Sequence, residues 1–453
     1  MNPTKTIIRK IERPLAIKLL GWQARDAFEQ CVRGMLYRDI DSNLAYQRER
    51  LRILLKGAIA NVPYYRNIAR EYGIDAGSMD PAASLSAFPV LTKEDIRMHS
   101  EALLSERPGQ GIYKNSSGGS TGEPVVLFQD KQYLSESATH VFDEFSGYEY
   151  GEKMVLLWGS ERDILHESGG MKYKLFDRFF YRQRVLNSFR MSNDDMGAFC
   201  ALINRFKPPY MRAYVQSANE LAKYAEERDI ALHPMRGIIV SAGTLYDDFR
   251  ERIERVFGCP VFNRYGSREV SLIAMECEAH QGLHQNIFTQ YIEIVDADGK
   301  PTPPGEMGRI LVTNLTNHTM PLIRFDIGDM AVPTDKVCSC GRGLPLIEKV
   351  VGRTVNVFKT AAGDLVDGEY FTHLFYGITE IEKFQVVQTA LKEIEIKYVV
   401  NTFVPRKDMN PALDEIRRKV HAVMGPDCIV RFHALDDIPP SASGKYIYTI
   451  SEI

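Results

Sequence analysis

Gly237-Ile238-Ile239-Val240-Ser241-Ala242-Gly243, followed after a helical stretch by Pro260-Val261-Phe262-Asn263-Arg264-Tyr265-Gly266-Ser267-Arg268-Glu269, is the passage on which the architecture turns. A continuous apolar run that halts at small residues reads as a strand buried on both faces. The helix expected from Tyr246 to Phe257 returns the chain to a second strand that begins at Pro260. This order is a βαβ unit, whose parallel strands gather ligands at their carboxyl ends. Ser241-Ala242-Gly243 and Arg264-Tyr265-Gly266-Ser267 both stand at such ends. Upstream the alternation repeats. Met154 to Gly159 and Pro209 to Val215 read as strands, and Ser217-Ala218-Asn219-Glu220 reads as the cap of the helix that follows.

Further towards the N-terminus lies Asn115-Ser116-Ser117-Gly118-Gly119-Ser120-Thr121-Gly122-Glu123-Pro124-Val125. Its glycines allow left-handed backbone, and Ser116, Ser117, Ser120 and Thr121 add hydroxyls beside exposed N–H groups, a composition suited to wrapping phosphate. It is no Walker-A loop, because Gly122 is followed by Glu-Pro where that pattern requires Gly-Lys-Ser/Thr. The strand-like Val125-Val126-Leu127-Phe128 follows it.

The chain of 453 residues is long enough for more than one core, and 44% hydrophobic with 25% charged residues is ordinary globular composition. A formal charge of −3 carries no polyanion-binding signature, so nucleic acid is not expected as a partner. No stretch has the apolar length of a signal peptide or a membrane span, and the expected location is the cytoplasm. Residues 5–20 mix basic and apolar positions interrupted by Pro14, which favours a docked helix over a membrane-surface one. Seven cysteines, an odd number, argue against a disulfide framework.

Residues 40–75 carry a helical pattern ending in Val62-Pro63-Tyr64-Tyr65-Arg66, and Thr92 to Asp95 reads as a capping box. Residues 290–335 turn β-rich. A second unit is expected just after Gly352-Arg353, with strand, strand, helix and strand over Phe384–Val387, Glu393–Tyr398, Pro411–Met424 and Ile429–Phe432, a small α+β domain.

Five segments fall into order: the glycine loop, Asn263 to Glu269, Arg324-Phe325-Asp326-Ile327-Gly328-Asp329, Val351-Gly352-Arg353, and Pro439-Pro440-Ser441-Ala442-Ser443-Gly444-Lys445. In this order they resemble the core motifs of the adenylate-forming superfamily of acyl-CoA synthetases, over nearly the whole chain. Val62 to Arg66, Phe88-Pro89-Val90-Leu91-Thr92-Lys93-Glu94-Asp95 and Met320-Pro321-Leu322-Ile323-Arg324-Phe325 are similar to the phenylacetate-CoA ligase and capsular-polysaccharide branch. The resemblance implies an α/β fold: a large multi-subdomain adenylation domain with βαβ sheets over 1–352 and a small mobile α+β lid over 353–453, often as a homodimer.

It also implies a reaction, the attack of a carboxylic acid on the α-phosphate of ATP followed by transfer of the acyl group to coenzyme A. Residue by residue, Ser117, Gly118, Gly119, Ser120, Thr121 and Gly122 would cradle phosphates. Ser241, Ala242, Gly243 and the run Asn263, Arg264, Tyr265, Gly266, Ser267 would hold the adenylate, with Tyr265 against adenine. Glu269 would ligate Mg²⁺, Asp329 (or Asp326) the ribose hydroxyls, and Lys445 would neutralise charge in adenylation. Arg353 marks the joint between the domains. The acid pocket is expected around Tyr214 and 241–269. The chain departs from the pattern at its extra loop glycine, at Val125 where a lysine is common, at Arg268 where threonine is common, and at Thr354-Val355-Asn356 where an acidic residue is common. These departures leave transfer to an amine, a carrier thiol or a sugar as the alternative outcome, and a non-catalytic nucleotide-binding protein as the third.

Cys277-Glu278-Ala279-His280 and Cys338-Ser339-Cys340 offer four ligands of the kind that suits tetrahedral zinc, with His284 as the substitute for His280. A structural Zn²⁺ there would pin the β-rich segment to the strand after Glu269.

Overall fold

The computed structural model describes residues 13–75, 77, 80–116, 125–130, 134–158, 182–188, 191, 193–353, 357–362, 365–375, 378, 380–402, 409–439 and 447–453. The glycine loop at 117–124 and the Lys445 segment therefore lie outside the described residues.

The strands are β1 (Tyr113–Ser116), β2 (Val126–Gln129), β3 (Met154–Trp158), β4 (Gln183–Asn187), β5 (Tyr210–Tyr214), β6 (Gly237–Ser241), β7 (Val261–Ser267), β8 (Ser271–Glu276), β9 (Leu283–Gln285), β10 (Gln290–Val295), β11 (Gly308–Asn314), β12 (Phe325–Pro333) and β13 (Leu346–Arg353). β1 and β2 form a hairpin, and the other eleven form one sheet in the order β10-β11-β12-β13-β9-β8-β7-β6-β5-β3-β4. β6 is buried at every position, as its unbroken apolar run requires of a strand covered on both faces. Around it β4, β3, β5, β6 and the first half of β7 run parallel, which is the βαβ reading of the sequence.

The chain divides into two compact units, Met1–Ile327 with Ala331–Val350, and Gly328–Met330 with Val351–Ile453. The second carries the hairpin β14 (Val357–Lys359) and β15 (Leu365–Asp367). It also has a four-stranded sheet of β16 (Ile381–Ala390), β17 (Glu393–Val400), β18 (Ile429–Ala434) and β19 (Thr449–Ser451). Ile416, Val420 and Met424, at helical spacing on Asn410–Met424, close its core against Val386, Ile394 and Ile396.

Local signals account for most helix ends. Thr92 and Asp95 form the capping box in both directions, and Pro63 opens the helix Pro63–Tyr72, which closes on left-handed Gly73. Pro14 lies in the first turn of the helix Arg13–Leu20, where its missing N–H is harmless, and Arg13 docks that helix onto Asp26 (2.9 Å) and Glu29 (2.8 Å). Ser217 is a correction. The helix begins at Val215, directly after β5 and without a side-chain cap, so Ser217 is a buried interior residue. No helix among the described residues is long and apolar enough to cross a membrane.

The three branch-like segments meet in one buried network. Tyr65 Oη donates to the Pro321 carbonyl (2.8 Å) and accepts from the Ile323 N–H (3.2 Å). Arg324, left-handed at φ 50°, pairs with Glu293 through Nε (3.2 Å) and Nη2 (3.1 Å) and donates through Nη1 to the carbonyls of Ser86 (3.2 Å) and Phe88 (2.8 Å). Leu91 exchanges backbone hydrogen bonds with Arg324 and Asp326 across an isolated bridge. Burial pushes the Glu293 carboxyl upward, against the pull of the Arg324 charge.

Removing one member of this buried pair strands the other. Arg324→Met is expected to lower the unfolding free energy by about 3 kcal/mol or more, and the double variant Arg324→Met/Glu293→Met to recover a sizeable part of that loss. Denaturant midpoints of the three proteins measure both.

Candidate functional site

β7 changes partners along its length. Val261 to Asn263 pair in parallel with β6, whereas Arg264 to Ser267 pair antiparallel with β8, with a register shift between Tyr265 and Gly266. Such a bulge re-aims the side chains next to it. Gly266 is required there because an added Cβ would lie 2.5 Å from the Ser271 carbonyl oxygen and 3.1 Å from Leu272 Cα.

Beside it, β6 ends at Ser241, and the next residue, Ala242, is left-handed at φ 62°, a conformation that costs a non-glycine residue about 1–2 kcal/mol. The turn carries Ala242-Gly243 off the sheet edge after Ser241, and Gly243 sits where a Cβ would be 3.4 Å from Val215.

Glu269 lies in the turn between β7 and β8. It is buried, and no ion pair or hydrogen bond ties its carboxylate to another described residue. The Ser267 hydroxyl is likewise buried without a partner. Asn115, at the stem of the glycine loop, donates to the Arg268 carbonyl (3.2 Å) and so brings the hairpin alongside this turn. Asn263 is held through its N–H by Glu276 (2.8 Å), which Arg250 also binds (2.8 Å). Asp329 is buried on β12, after left-handed Gly328. Arg353 ends β13, its side chain outside the described set.

An unpaired carboxylate, an unpaired hydroxyl, free strand ends and glycine-limited backbone thus converge at the carboxyl edge of β6 and β7. Such an edge can hold a polar, phosphorylated ligand together with a hard cation. Sequence reading misses the ring pair Trp158–Tyr214 (centroids 4.2 Å apart) and the buried ion pair of Arg212 with Asp143. The period-2 placement of Trp158 and Tyr214 at two strand ends was the available signal.

A second cluster sits where β8, β9 and β13 join. Cys277, His284, Cys338 and Cys340 bring their ligand atoms within 4.8 Å of one another. Cys277 Sγ is 3.6 Å from Cys338 Sγ and 3.3 Å from His284 Nε2, which is 3.3 Å from Cys340 Sγ. Zinc–sulfur bonds of roughly 2.3 Å at tetrahedral angles imply edges of about 3.8 Å, slightly shorter with an imidazole, so the donors fit that ion. Burial, reinforced by the Arg342 charge, pulls His284 down to about 4 and leaves a neutral imidazole. Burial pushes the Cys277 thiol up to about 12.

His280 does not join the cluster and is replaced by His284. The chain after Cys277 turns and returns as β9, pairing His284 with Met275, so the residue seven positions on faces back to the thiol. His280 stays in the turn, its ring 3.3 Å from Glu276 and tilted beside that of Phe262.

A family model described as "AMP-binding enzyme" matches residues 184–320, and one described as "CapK C-terminal domain" matches 358–452. Protein CapK of Staphylococcus aureus is 23% identical over 401 residues, covering 87% of this chain and 86% of that protein. Phenylacetate-coenzyme A ligase of Thermus thermophilus is 27% identical over 338 residues, covering 70% and 73%. Among solved structures, 2-hydroxyisobutyryl-CoA ligase in its postadenylation state has a TM-score of 0.74 at 17% identity, covering 92% of this chain and 91% of that one. The O-succinylbenzoate coenzyme A synthetase of Bacillus subtilis, with ATP and magnesium, has a TM-score of 0.52 at 17% identity, covering 74% and 68%.

The bulge predicts its own sensitivity. Gly266→Ala is expected to destabilise the chain by about 1–3 kcal/mol, because backbone rather than a movable side chain blocks the new methyl. Gly299→Ala, strained only by its positive φ, gives the milder reference in the same thermal-melt series.

Proposed function

We propose that this chain, a member of the adenylate-forming superfamily in the branch that holds phenylacetate-coenzyme A ligase and CapK, is an AMP-forming ligase. It joins a carboxylic acid to the α-phosphate of ATP, releases pyrophosphate, and passes the acyl group from the adenylate to coenzyme A. The observation that carries this reading is Glu269, buried at the carboxyl edge of β6 and β7 with no counter-ion among the described residues. Burying an ionised carboxylate is costly, and a bound cation offsets that cost. The phenylacetate-coenzyme A ligases at 27% identity support the reading, as do structural neighbours holding acyl-adenylates and coenzyme A.

In this assignment Ser117 to Gly122 cradle the β- and γ-phosphates, Tyr265 offers adenine a flat face, and Ser241-Ala242-Gly243 approaches the ring from its other side. Asp329 accepts from the ribose hydroxyls, Glu269 ligates Mg²⁺, and Lys445 offsets the charge that builds between carboxylate and α-phosphate. Arg353 opens the C-terminal domain, 353–453. Cys277, His284, Cys338 and Cys340 hold a structural zinc, which when bound would cross-link β8, β9 and the 338–340 loop.

ATP–pyrophosphate exchange over a panel of carboxylic acids is expected to rise above background with at least one acid. Lys445→Ala should lower that exchange by about 100-fold or more, and Glu269→Gln should raise the Mg²⁺ concentration required. Background exchange with every acid, or a Lys445→Ala protein equal to wild type, would overturn the reading. Hydroxamate with hydroxylamine but no thioester with coenzyme A would move the acceptor to an amine.

For the thiol cluster, metal analysis after purification without chelators should find about one zinc per chain. His284→Ala and Cys338→Ser should lose it, and His280→Ala should keep it. A zinc-free wild type would count decisively against the site.

A further inference from the structure

We propose that Arg264 binds a second carboxylate on the acid substrate, so that the chain selects acids bearing two carboxylates; the proposal rests on the adenylation reading above. The register of the parallel strands places the arginine. Leu157 pairs with Ala213, Ala213 with Val240, Tyr214 with Ser241, and Val240 with Asn263. One residue further along each strand, Trp158, Tyr214, Ser241 and Arg264 therefore form a row on a single face at the carboxyl edge. The Trp158–Tyr214 ring contact at 4.2 Å confirms the alignment at one end of the row.

The rung behind it is Leu156, Arg212, Ile239 and Phe262. That rung is closed by the helix Ser135–Asp143, whose Val141 and Phe142 pack with Ile239 and Phe262. Tyr265, the neighbour of Arg264, points to the opposite face of β7, the side assigned to adenine. Arg264 and Tyr265 thus address different sides of β7.

The charges on the acid face do not balance. Arg212 is paired with Asp143, which is 1% exposed. The Arg264 guanidinium has no hydrogen bond or ion pair to another described residue, although protein surrounds it and only part of its surface stays accessible. Burial, aided by the Arg212 charge and opposed by Asp143, pulls its pKa down to about 10, which still leaves a cation at neutral pH. An enclosed guanidinium with no acceptor among the described residues is costly, and a planar two-oxygen anion matches its fork of donors. The adjoining rings of Trp158 and Tyr214, tilted by 39°, offer the apolar body of such an acid a surface in the same row.

The test uses the full chain in pyrophosphate exchange with matched acids, phenylacetate against 4-carboxyphenylacetate and hexanoate against adipate. Wild type is expected to favour the diacid of at least one pair by about 10-fold or more in kcat/KM. Arg264→Gln should raise KM for that diacid by about 100-fold and abolish the preference, while Arg264→Lys should keep part of it. Equal use of mono- and diacids by wild type overturns the proposal. So does an Arg264→Gln protein that loses both acids of a pair equally, which would assign the arginine to the reacting carboxylate or phosphate. Circular dichroism and the melting midpoint establish that the variants are folded. If no acid supports exchange, the adenylation reading fails by itself, and calorimetric binding of the two diacids decides this inference. Binding to wild type that Arg264→Gln loses supports it, and binding unchanged by the substitution, or none at all, ends it.

Discussion

β7 pairs in parallel with β6 on one edge and antiparallel with β8 on the other, and its ladder with β8 carries a bulge between Tyr265 and Gly266. That constraint joins the βαβ half of the large sheet to its antiparallel half. It also brings the site together, because alternation along β7 sends Arg264 and Tyr265 to different faces just ahead of the bulge. Tyr265 and Arg264 diverge there, Ser267 is left buried with its hydroxyl unpaired, and Glu269 follows in the turn without a counter-ion among the described residues. The backbone approach that makes the bulge possible leaves no room for a Cβ at position 266. Sheet topology and ligand geometry thus depend on the same few atoms.

Two buried polar anchors keep this half-parallel, half-antiparallel sheet in place. Arg324 ties β10 to the segment Ser86–Phe88 through four donated contacts, and Tyr65 fixes the loop Pro321–Ile323 ahead of β12. Buried polar groups so fully satisfied specify one arrangement of a core more sharply than apolar packing does. The thiol–imidazole cluster acts in the same region by another means, gathering the end of β8, the strand β9 and the 338–340 loop around four convergent donors. Its formation depends on a hairpin return that pairs His284 with Met275.

Much of this was legible residue by residue. The unbroken apolar run of β6, the alternation through β17 and the helical spacing on Asn410–Met424 each carry a local period that the backbone obeys. Caps at Thr92 and Gly73 are equally local. Where local reading failed, a longer-range contact had overruled it. Ser217 looks like a cap, but β5 runs straight into its helix. His280 has the right spacing for a metal ligand, but the strand that returns beside Cys277 carries His284. Trp158, Arg212 and Asp143 belong to the acid face only because three strands and a helix align there, and no spacing within one segment encodes that.

The order of strands and helices follows from the sequence alone, since apolar period and turn residues are properties of contiguous chain. Which histidine meets the thiols, which side of β7 each side chain takes, and which buried charges remain unpaired are decided by the tertiary structure. Those outcomes depend on strand register and on distances between residues tens to hundreds of positions apart. A shift of one residue in any strand would reverse them.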